Sequence, residues 1–256
     1  HNENIGYYHF AHSYVRGSWR NTDIAAPLSV AKSCHDFDIL LYLLGDKEAV
    51  KLSSFGSLSH FNEKNFKPNI MAENCFNCSI ENECCYSSTK IYNSEKSNVI
   101  VFGEAEKELK KNYKNSNYSK CVYKMDNNVC DHQVTIIEFD DNITATFNIS
   151  AFTNDISRSI KIMCEYGEIR GLEVPCNIEY QKFGSNVVHT VKPLIEYPSG
   201  HNGSDVKYIQ DFMEAYINGT PLKTDIRQSI ESHVMAFMAE DSRINDGEVK
   251  HIKDIW

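Results

Sequence analysis

The clearest hydrophobic pattern in the chain is helical and runs from Ser29 to Gly45, reading SVAKSCHDFDILLYLLG. Its apolar residues recur at the spacing that places them on one face of a helix. Ser29 is a suitable N-cap and Gly45 a suitable C-terminal stop, so we predict a single helix over this stretch. The apolar stripe consists of Val30, Cys34, Phe37, Leu41 and Leu44.

Alternating and β-branched runs predict strands, most of them in the middle of the chain. Gln133 to Phe139 and Ile143 to Phe152 are separated by Asp-Asp-Asn, which is a hairpin signal. The short turns between later runs favour antiparallel neighbours. The other predicted strands are Ile5–Phe10, Glu48–Phe61, Cys121–Tyr123, Ile160–Tyr166, Ile169–Val174, Ile178–Phe183 and Val187–Val191.

The remaining stretches complete the predicted architecture. Residues 11–23 are polar and predict a loop, and residues 62–125 predict an irregular, cysteine-containing excursion with a short helix at Ala105–Tyr113. Two amphipathic helices follow, one ending at Asn218-Gly219 and one starting near Thr224. The order predicts an α+β fold, an open and largely antiparallel β-sheet with helices packed on one face. We find no repeat or linker, so we expect one domain over 1–256.

Composition narrows the function classes. The chain has 256 residues, 41% of them hydrophobic, which is enough for a sizeable core. Its net charge of −9 argues against a nucleic-acid or anionic-membrane surface, because such surfaces are basic. We also expect no membrane span, because no apolar run approaches the roughly 18 residues that one needs. Nine cysteines in a chain too long to need disulfides indicate a reducing, cytoplasmic compartment.

The predicted helix at Ser29 to Gly45 also carries candidate chemistry. Lys32, His35 and Asp36 share one of its faces, so a cation, an imidazole and a carboxylate lie together near its start. Such a group can move protons, although the same pattern is also found on ordinary solvated helix faces.

The cysteine-containing excursion predicts a metal site. Cys75-x2-Cys78 is a chelating pair, and Cys84 supplies a third thiol. The fourth ligand is Cys121 or Cys85, and Cys121 is our assignment. Zinc is the metal that four thiolates favour, and it would stabilise a loop with little core. The alternative is a set of free buried thiols.

Other polar and aromatic residues are candidates for binding a small molecule. Histidines, arginines and a tryptophan near strand and helix ends suit a polyhydroxylated or anionic ligand, since a sugar stacks on Trp and bonds to Arg, Asp and His. We find no Gly-rich dinucleotide loop, Walker loop or nucleophile motif in the chain. The predicted binding residues are His12, Arg16, Trp19, Arg20, Asp36, Asp131, His132 and His201.

Five segments resemble the C-terminal domain of the Gfo/Idh/MocA family of NAD(P)-dependent oxidoreductases, which act mostly on sugars or cyclitols. The resemblance extends over most of the chain, to GHNGSD near its end, and CHDFDILLYLLG and GEIRG are the strongest markers. The segments are HFAHSYVRGSWRN, AKSCHDFDILLYLLG, CCYSSTKIY, CVYKMDNNVCDHQV and IKIMCEYGEIRG.

The resemblance implies a role for His35, which matches the family histidine that accepts the substrate hydroxyl's proton while hydride passes to nicotinamide. The family also has an Asp four residues earlier, where this chain has Ala31. Lys32 is our candidate to take over part of that role. NAD or NADP would be bound mainly by an N-terminal Rossmann domain, which this sequence does not contain.

The same resemblance leaves three readings open. The first is the substrate-binding half of an oxidoreductase acting on a sugar or cyclitol hydroxyl, inactive as an isolated chain. The second is an NAD-assisted glycosidase, because some relatives cleave glycosides through oxidation and re-reduction. The third is a non-catalytic binding or assembly module whose sheet pairs with a second copy, so we also expect a homo-oligomer formed through the sheet face.

Overall fold

The computed structural model describes residues 1–97, 104–194, 203–222 and 226–252. A nine-stranded open sheet forms its centre, in the order β8-β7-β6-β5-β1-β4-β3-β2-β9. Except for the parallel pair β1–β4, neighbouring strands are antiparallel, so the predicted fold class is confirmed. The strands are β1 Asn2–Asn4, β2 Ala49–Ser57, β3 His132–Phe139, β4 Thr144–Ser150, β5 Ser157–Met163, β6 Gly167–Leu172, β7 Asn177–Lys182, β8 His189–Val191 and β9 Lys250–His251.

The helices among the described residues differ greatly in length. Seven α-helical segments are α1 Tyr7–Phe10, α2 Leu28–Ala31, α3 Cys34–Leu44, α4 Ser88–Tyr92, α5 Glu104–Asn112, α6 Ser204–Asn218 and α7 Ile226–Ile244. Helix α3 packs against α7, and α7 packs against β2. The two amphipathic C-terminal helices are confirmed, although the predicted start near Thr224 lies outside the described residues.

The hydrophobic core lies between the central strands and the helices. Strand β3 alternates between buried and less buried positions, as its sequence pattern predicts. Its buried residues meet those of β4 in register, and Phe147 of β4 contacts Phe37 of α3 with ring centroids 5.3 Å apart. The apolar stripe of α3 thus packs this helix against the sheet. Asp141 and Asn142, with φ of 58° and 59°, form the hairpin turn that Asp-Asp-Asn predicts.

The first prediction to fail is the strand at Ile5–Phe10 and the polar loop after it. Helix α1 continues into a π-helical turn at Ala11–Arg16, and every residue of that turn is buried. The reason is packing, because the ring of Phe10 lies 5.3 Å from that of Tyr14 and 5.1 Å from that of Phe61. The residues that looked like a solvent loop therefore form part of the core.

Two smaller predictions also differ from the structure. The helix expected to be continuous from Ser29 to Gly45 is broken at Lys32 and Ser33, where Lys32 leaves the helical conformation with φ −126°. The three residues Cys121–Tyr123 are not a strand. Cys121 N–H bonds to Glu73 O at 2.8 Å, and the chain then turns, with Lys124 N–H bonded to Cys121 O at 3.0 Å. In the described part of the excursion, residues 62–97 and 104–125, the helices are short, and α5 at Glu104–Asn112 lies close to the helix predicted at Ala105–Tyr113.

Candidate functional site

The break between α2 and α3 places a charged side chain over the start of the sheet. Lys32 occupies the break, and its Nζ lies 3.1 Å from Glu3 Oε1. Glu3 belongs to β1, which is inserted between β4 and β5. The carboxylate of Glu3 is buried because its strand lies in the centre of the sheet, directly beneath the helices.

An ion-pair cluster surrounds this carboxylate. Arg158 of β5 lies opposite Glu3 in the strand register, and its Nε is 2.8 Å from Glu3 Oε2 and 2.9 Å from Asp36 Oδ1. Asp36, in the first turn of α3, also bonds to His1 Nε2 at 2.7 Å. We call Glu3, Lys32, Asp36, Arg158 and His1 the junction cluster.

The carboxylates of the junction cluster respond differently to burial. Burial raises the pKa of Glu3, and Lys32 offsets only part of this effect. Burial alone would also raise the pKa of Asp36, but the hydrogen bond to His1 and the Arg158 guanidinium outweigh it, so the pKa is lowered. Asp36 is therefore ionised at neutral pH and fixes the positions of the groups around it.

His35 lies next to the cluster and is exposed. Partial desolvation, with a contribution from the Arg158 guanidinium, lowers the pKa of His35 below its ordinary value. The imidazole is therefore neutral near pH 7 and is able to accept a proton. An accessible base beside a fixed cation is an arrangement suited to removing a proton from a hydroxyl group.

Buried polar atoms without a hydrogen-bond partner surround the same junction. They include Tyr14 Oη, His9 Nδ1, Ser29 Oγ and Ser33 Oγ. Burial lowers the pKa of His9 to about 4, so its imidazole is neutral. Unsatisfied buried groups are uncommon and indicate a place where a polar ligand or water can bind.

Two of the predicted binding residues lie in a different part of the structure. His12 is buried, donates to or accepts from Tyr92 Oη at 2.9 Å, and stacks on Tyr118. Arg16 is buried beside the cysteines of the excursion. These residues hold the π-helical turn against the excursion, and the structure does not bring them to the junction cluster.

Trp19 and Arg20 lie on the turn that follows. Arg20 pairs with Asp126 at 2.7 Å, which ties the turn to the end of the excursion. Trp19 is exposed, and its ring lies 5.6 Å from that of Tyr14. Trp19 is therefore connected through Tyr14 to the group of unsatisfied polar atoms described above.

Asp131 and His132 form a hydrogen-bonded pair of 2.8 Å at the start of β3. Asp131 is buried and also accepts from the backbone N–H of His60 at 2.7 Å, so it holds the loop after β2. In the strand register Gln133 aligns with Ile149 and Glu3 on the helix-covered face, which places His132 on the opposite face. His201 lies outside the described residues.

The predicted metal ligands share one pocket. Cys75, Cys78, Cys84 and Cys121 line it, while Cys85 is exposed outside it. Burial raises the pKa of Cys121 to about 11 and also raises the pKa of Cys84. Within the described ranges, no three His, Cys, Asp or Glu side chains stand close enough together to hold an ion. The zinc site stays a prediction.

Sequence reasoning missed several members of the junction cluster. Glu3 lies in a strand of three residues, too short to give an alternation signal, and His1 directly precedes that strand. Arg158 is 122 residues from Asp36, and only the order of strands in the sheet brings the two together. Tyr14 was missed because residues 11–23 were predicted to form a polar loop. The available signal was the pattern of buried aromatics at Phe10 and Tyr14, four residues apart.

Comparisons with known proteins agree with this architecture. Residues 2–250 match the family model described as "Oxidoreductase family, C-terminal alpha/beta domain" for Gfo/Idh/MocA proteins. No curated protein matches the chain. In the described residues, none of the helices is both long and apolar enough to cross a membrane.

Solved structures share the fold at low sequence identity. A levoglucosan dehydrogenase in complex with NADH and levoglucosan superposes with a TM-score of 0.62 at 11% identity, covering 98% of this chain and 57% of its own. A putative NADPH-dependent oxidoreductase from Desulfitobacterium hafniense gives 0.57 at 12%, covering 99% and 56%. A UDP-N-acetylglucosamine 3-dehydrogenase from Acidithiobacillus ferrooxidans gives 0.55 at 10%, covering 94% and 51%.

The chain thus spans little more than half the length of these three proteins, and it aligns along nearly all of its own length. The open sheet and the break between α2 and α3 are parts of the region that the family model covers. The chain belongs to the Gfo/Idh/MocA oxidoreductase family, of which it contains the C-terminal alpha/beta domain.

Proposed function

We propose that this chain is the substrate-binding half of an NAD(P)-dependent oxidoreductase that oxidises a hydroxyl group of a sugar or cyclitol. The observation that carries the proposal is the exposed, neutral His35 beside the junction cluster. Three similar structures are named as a levoglucosan dehydrogenase, a putative NADPH-dependent oxidoreductase and a UDP-N-acetylglucosamine 3-dehydrogenase, which supports the class.

Each residue has a distinct part in this proposal. His35 takes the hydroxyl proton as the C–H hydride leaves the same carbon, so the substrate loses two electrons and becomes a carbonyl compound. Lys32, held by Glu3, stabilises the negative charge that develops on the substrate oxygen. Asp36 and Arg158 are positioning residues, because they fix the start of α3 on which His35 lies.

The cofactor is expected to bind mainly outside this chain. NAD(P), when bound, supplies the hydride acceptor. The described residues provide groups that suit a polar substrate, among them the unsatisfied Tyr14 Oη and His9 Nδ1. The sequence contains no Gly-rich dinucleotide loop, so the isolated chain is predicted to be inactive.

The test is an assay of the full-length protein for reduction of NAD or NADP at 340 nm. The probes are levoglucosan, UDP-N-acetylglucosamine, myo-inositol and a set of free hexoses. Reduction that depends on one of these compounds supports the proposal. A protein that binds the cofactor and reduces neither form with any polyol contradicts it, as does turnover by residues 1–256 alone.

A parallel assay distinguishes the glycosidase alternative. Nitrophenyl glycosides are added with catalytic NAD, and nitrophenol and NADH are measured together. Nitrophenol release without net NADH would assign the protein to the NAD-assisted glycosidases instead.

We also propose that a second copy pairs with the open face of the sheet. Phe55 and Ile136 point to this face and are 53% and 52% exposed. Exposed apolar side chains on a sheet favour association. Light scattering of the full-length protein should give at least a dimer, and Ile136→Glu should weaken it. A monomeric wild-type protein contradicts the proposal.

A further inference from the structure

The cysteine pocket contains an unusual buried charge. Arg16 is 1% exposed, and it reaches the pocket from the π-helical turn. Its Nε donates to Lys120 O at 2.8 Å and one terminal nitrogen donates to Tyr86 O at 2.8 Å. That nitrogen also lies 3.7 Å from Cys75 Sγ, while the other terminal nitrogen is buried with no hydrogen-bond partner.

No carboxylate among the residues with described positions lies within 4 Å of the Arg16 guanidinium. Glu81 lines the pocket, but it accepts hydrogen bonds from Ser87 at 2.8 Å and from Thr89. A guanidinium remains protonated at any ordinary pH. Burying a charge without a counter-charge is costly, so the chain is expected to place a negative group in this pocket.

The groups that can supply this charge are the thiols. Cys75, Cys78, Cys84 and Cys121 line the pocket together with Arg16, although they come from segments up to 46 residues apart. The backbone fixes their approach, because Cys121 N–H bonds to Glu73 O at 2.8 Å and Asn74 pairs with Lys120. Four thiolates around one divalent ion carry a net charge of about −2, which complements a buried cation.

We propose that Cys75, Cys78, Cys84 and Cys121 bind a thiophilic metal centre, with Arg16 as its buried counter-ion. The four thiols release their protons when the metal binds, and no oxidation is involved.

Two kinds of metal centre suit four thiolate ligands, and metal analysis distinguishes them. A single zinc ion and an iron–sulfur cluster are both held by four thiolates. The full-length protein is purified without oxygen, and zinc, iron and acid-labile sulfide are measured per chain, with the visible spectrum. We expect about one zinc per chain, while iron with sulfide and visible absorbance would assign a cluster to the same ligands.

Matched cysteine variants test the ligand set. Cys121→Ser should lose most of the metal, whereas Cys85→Ser, a neighbouring cysteine outside the pocket, should retain it. If Cys121→Ser does not fold, titration of the wild-type thiols with an organomercurial and a zinc indicator gives the same information. Release of metal in step with about four thiols supports the proposal.

Three results would overturn the proposal. The first is a wild-type protein without metal even after anaerobic reconstitution with Zn²⁺, or with iron and sulfide. The second is metal content that Cys121→Ser leaves unchanged in folded protein. The third is a disulfide between two of the four cysteines in protein purified under reducing conditions. These measurements do not depend on activity, so they are independent of the proposed oxidoreductase function.

Discussion

Replacement of Arg158 by Met tests whether the junction cluster stabilises the fold as a unit. The guanidinium lies 2.8 Å from one Glu3 oxygen and 2.9 Å from one Asp36 oxygen, and both carboxylates are fully buried. Met preserves most of the side-chain volume, so the change mainly removes the charge. Both carboxylates then remain buried with one fewer partner each.

The expected loss follows from this geometry. Removing one member of a buried ion pair costs about 3–5 kcal/mol, because it leaves an uncompensated charge. For a domain of this size, each kcal/mol corresponds to roughly 2–4 °C in Tm. We therefore expect calorimetry of the full-length protein to show the domain's transition lowered by about 6–20 °C at neutral pH.

The pH dependence gives a second, sharper readout. In the wild type the lowered pKa of Asp36 contributes stability at neutral pH that is lost only as the pH falls through this folded-state value. In Arg158→Met the pKa of Asp36 rises, because the variant lacks one of the groups that hold it down, so this carboxylate binds its proton at a higher pH than in the wild type. The difference between the two proteins should shrink as the pH falls from about 7.5 to about 5.

Arg170→Met on β6 is the matched control. Arg170 is half exposed and pairs with Glu168 on the same strand, so solvent screens the interaction and the change should leave Tm nearly unaltered. A loss for Arg158→Met no larger than that for the control would show that Arg158 does not stabilise the junction cluster. So would a loss that is equal at both pH values.

Two further predictions concern the sheet and the proposed base. Gly56→Ala should lower the free energy of unfolding by about 1–3 kcal/mol in denaturant titration. The reason is that the new Cβ would lie 2.4 Å from the backbone oxygen of His132. Gly171→Ala should lower the free energy of unfolding by less, because its Cβ would meet the movable side chain of Ile160 at 2.9 Å. The kcat of the full-length enzyme should stay constant as the pH falls to 6.5 and decline only below that pH. The reason is that the pKa of His35 is lowered, so its neutral, basic form persists. A decline in kcat that begins well above pH 7 would count against His35 as the base.

The sequence predicted the elements whose signals are local. The alternation in His132–Phe139 and the Asp-Asp-Asn turn after it were sufficient for the central hairpin, and the stripe containing Phe37 and Leu41 was sufficient for α3. These patterns arise from one face of each element being buried. They are visible without knowledge of the partner.

The elements that were missed depend on distant partners. Strand β1 has three residues and gains its place through pairing with β4 and β5, more than 140 residues away. Arg16 looked like a residue of a solvent loop, yet it is buried beside cysteines that come 59 and more residues later. Lys32, His35 and Asp36 were recognised as a group, but the break that separates Lys32 from α3 and pairs it with Glu3 has no local signal.

The proposed role of His35 as the proton acceptor of the full-length enzyme is tested by comparing two histidine variants. With the substrate found in the NAD(P) assay, kcat is measured for His35→Ala and for His233→Ala, an exposed histidine of α7 whose Nδ1 bonds to Ser229 O. We predict that kcat falls by about 10²- to 10⁴-fold in His35→Ala, since general-base catalysis contributes factors of this size. His233→Ala should match the wild type. A His35→Ala enzyme that is folded and retains the wild-type kcat would show that His35 is not the proton acceptor.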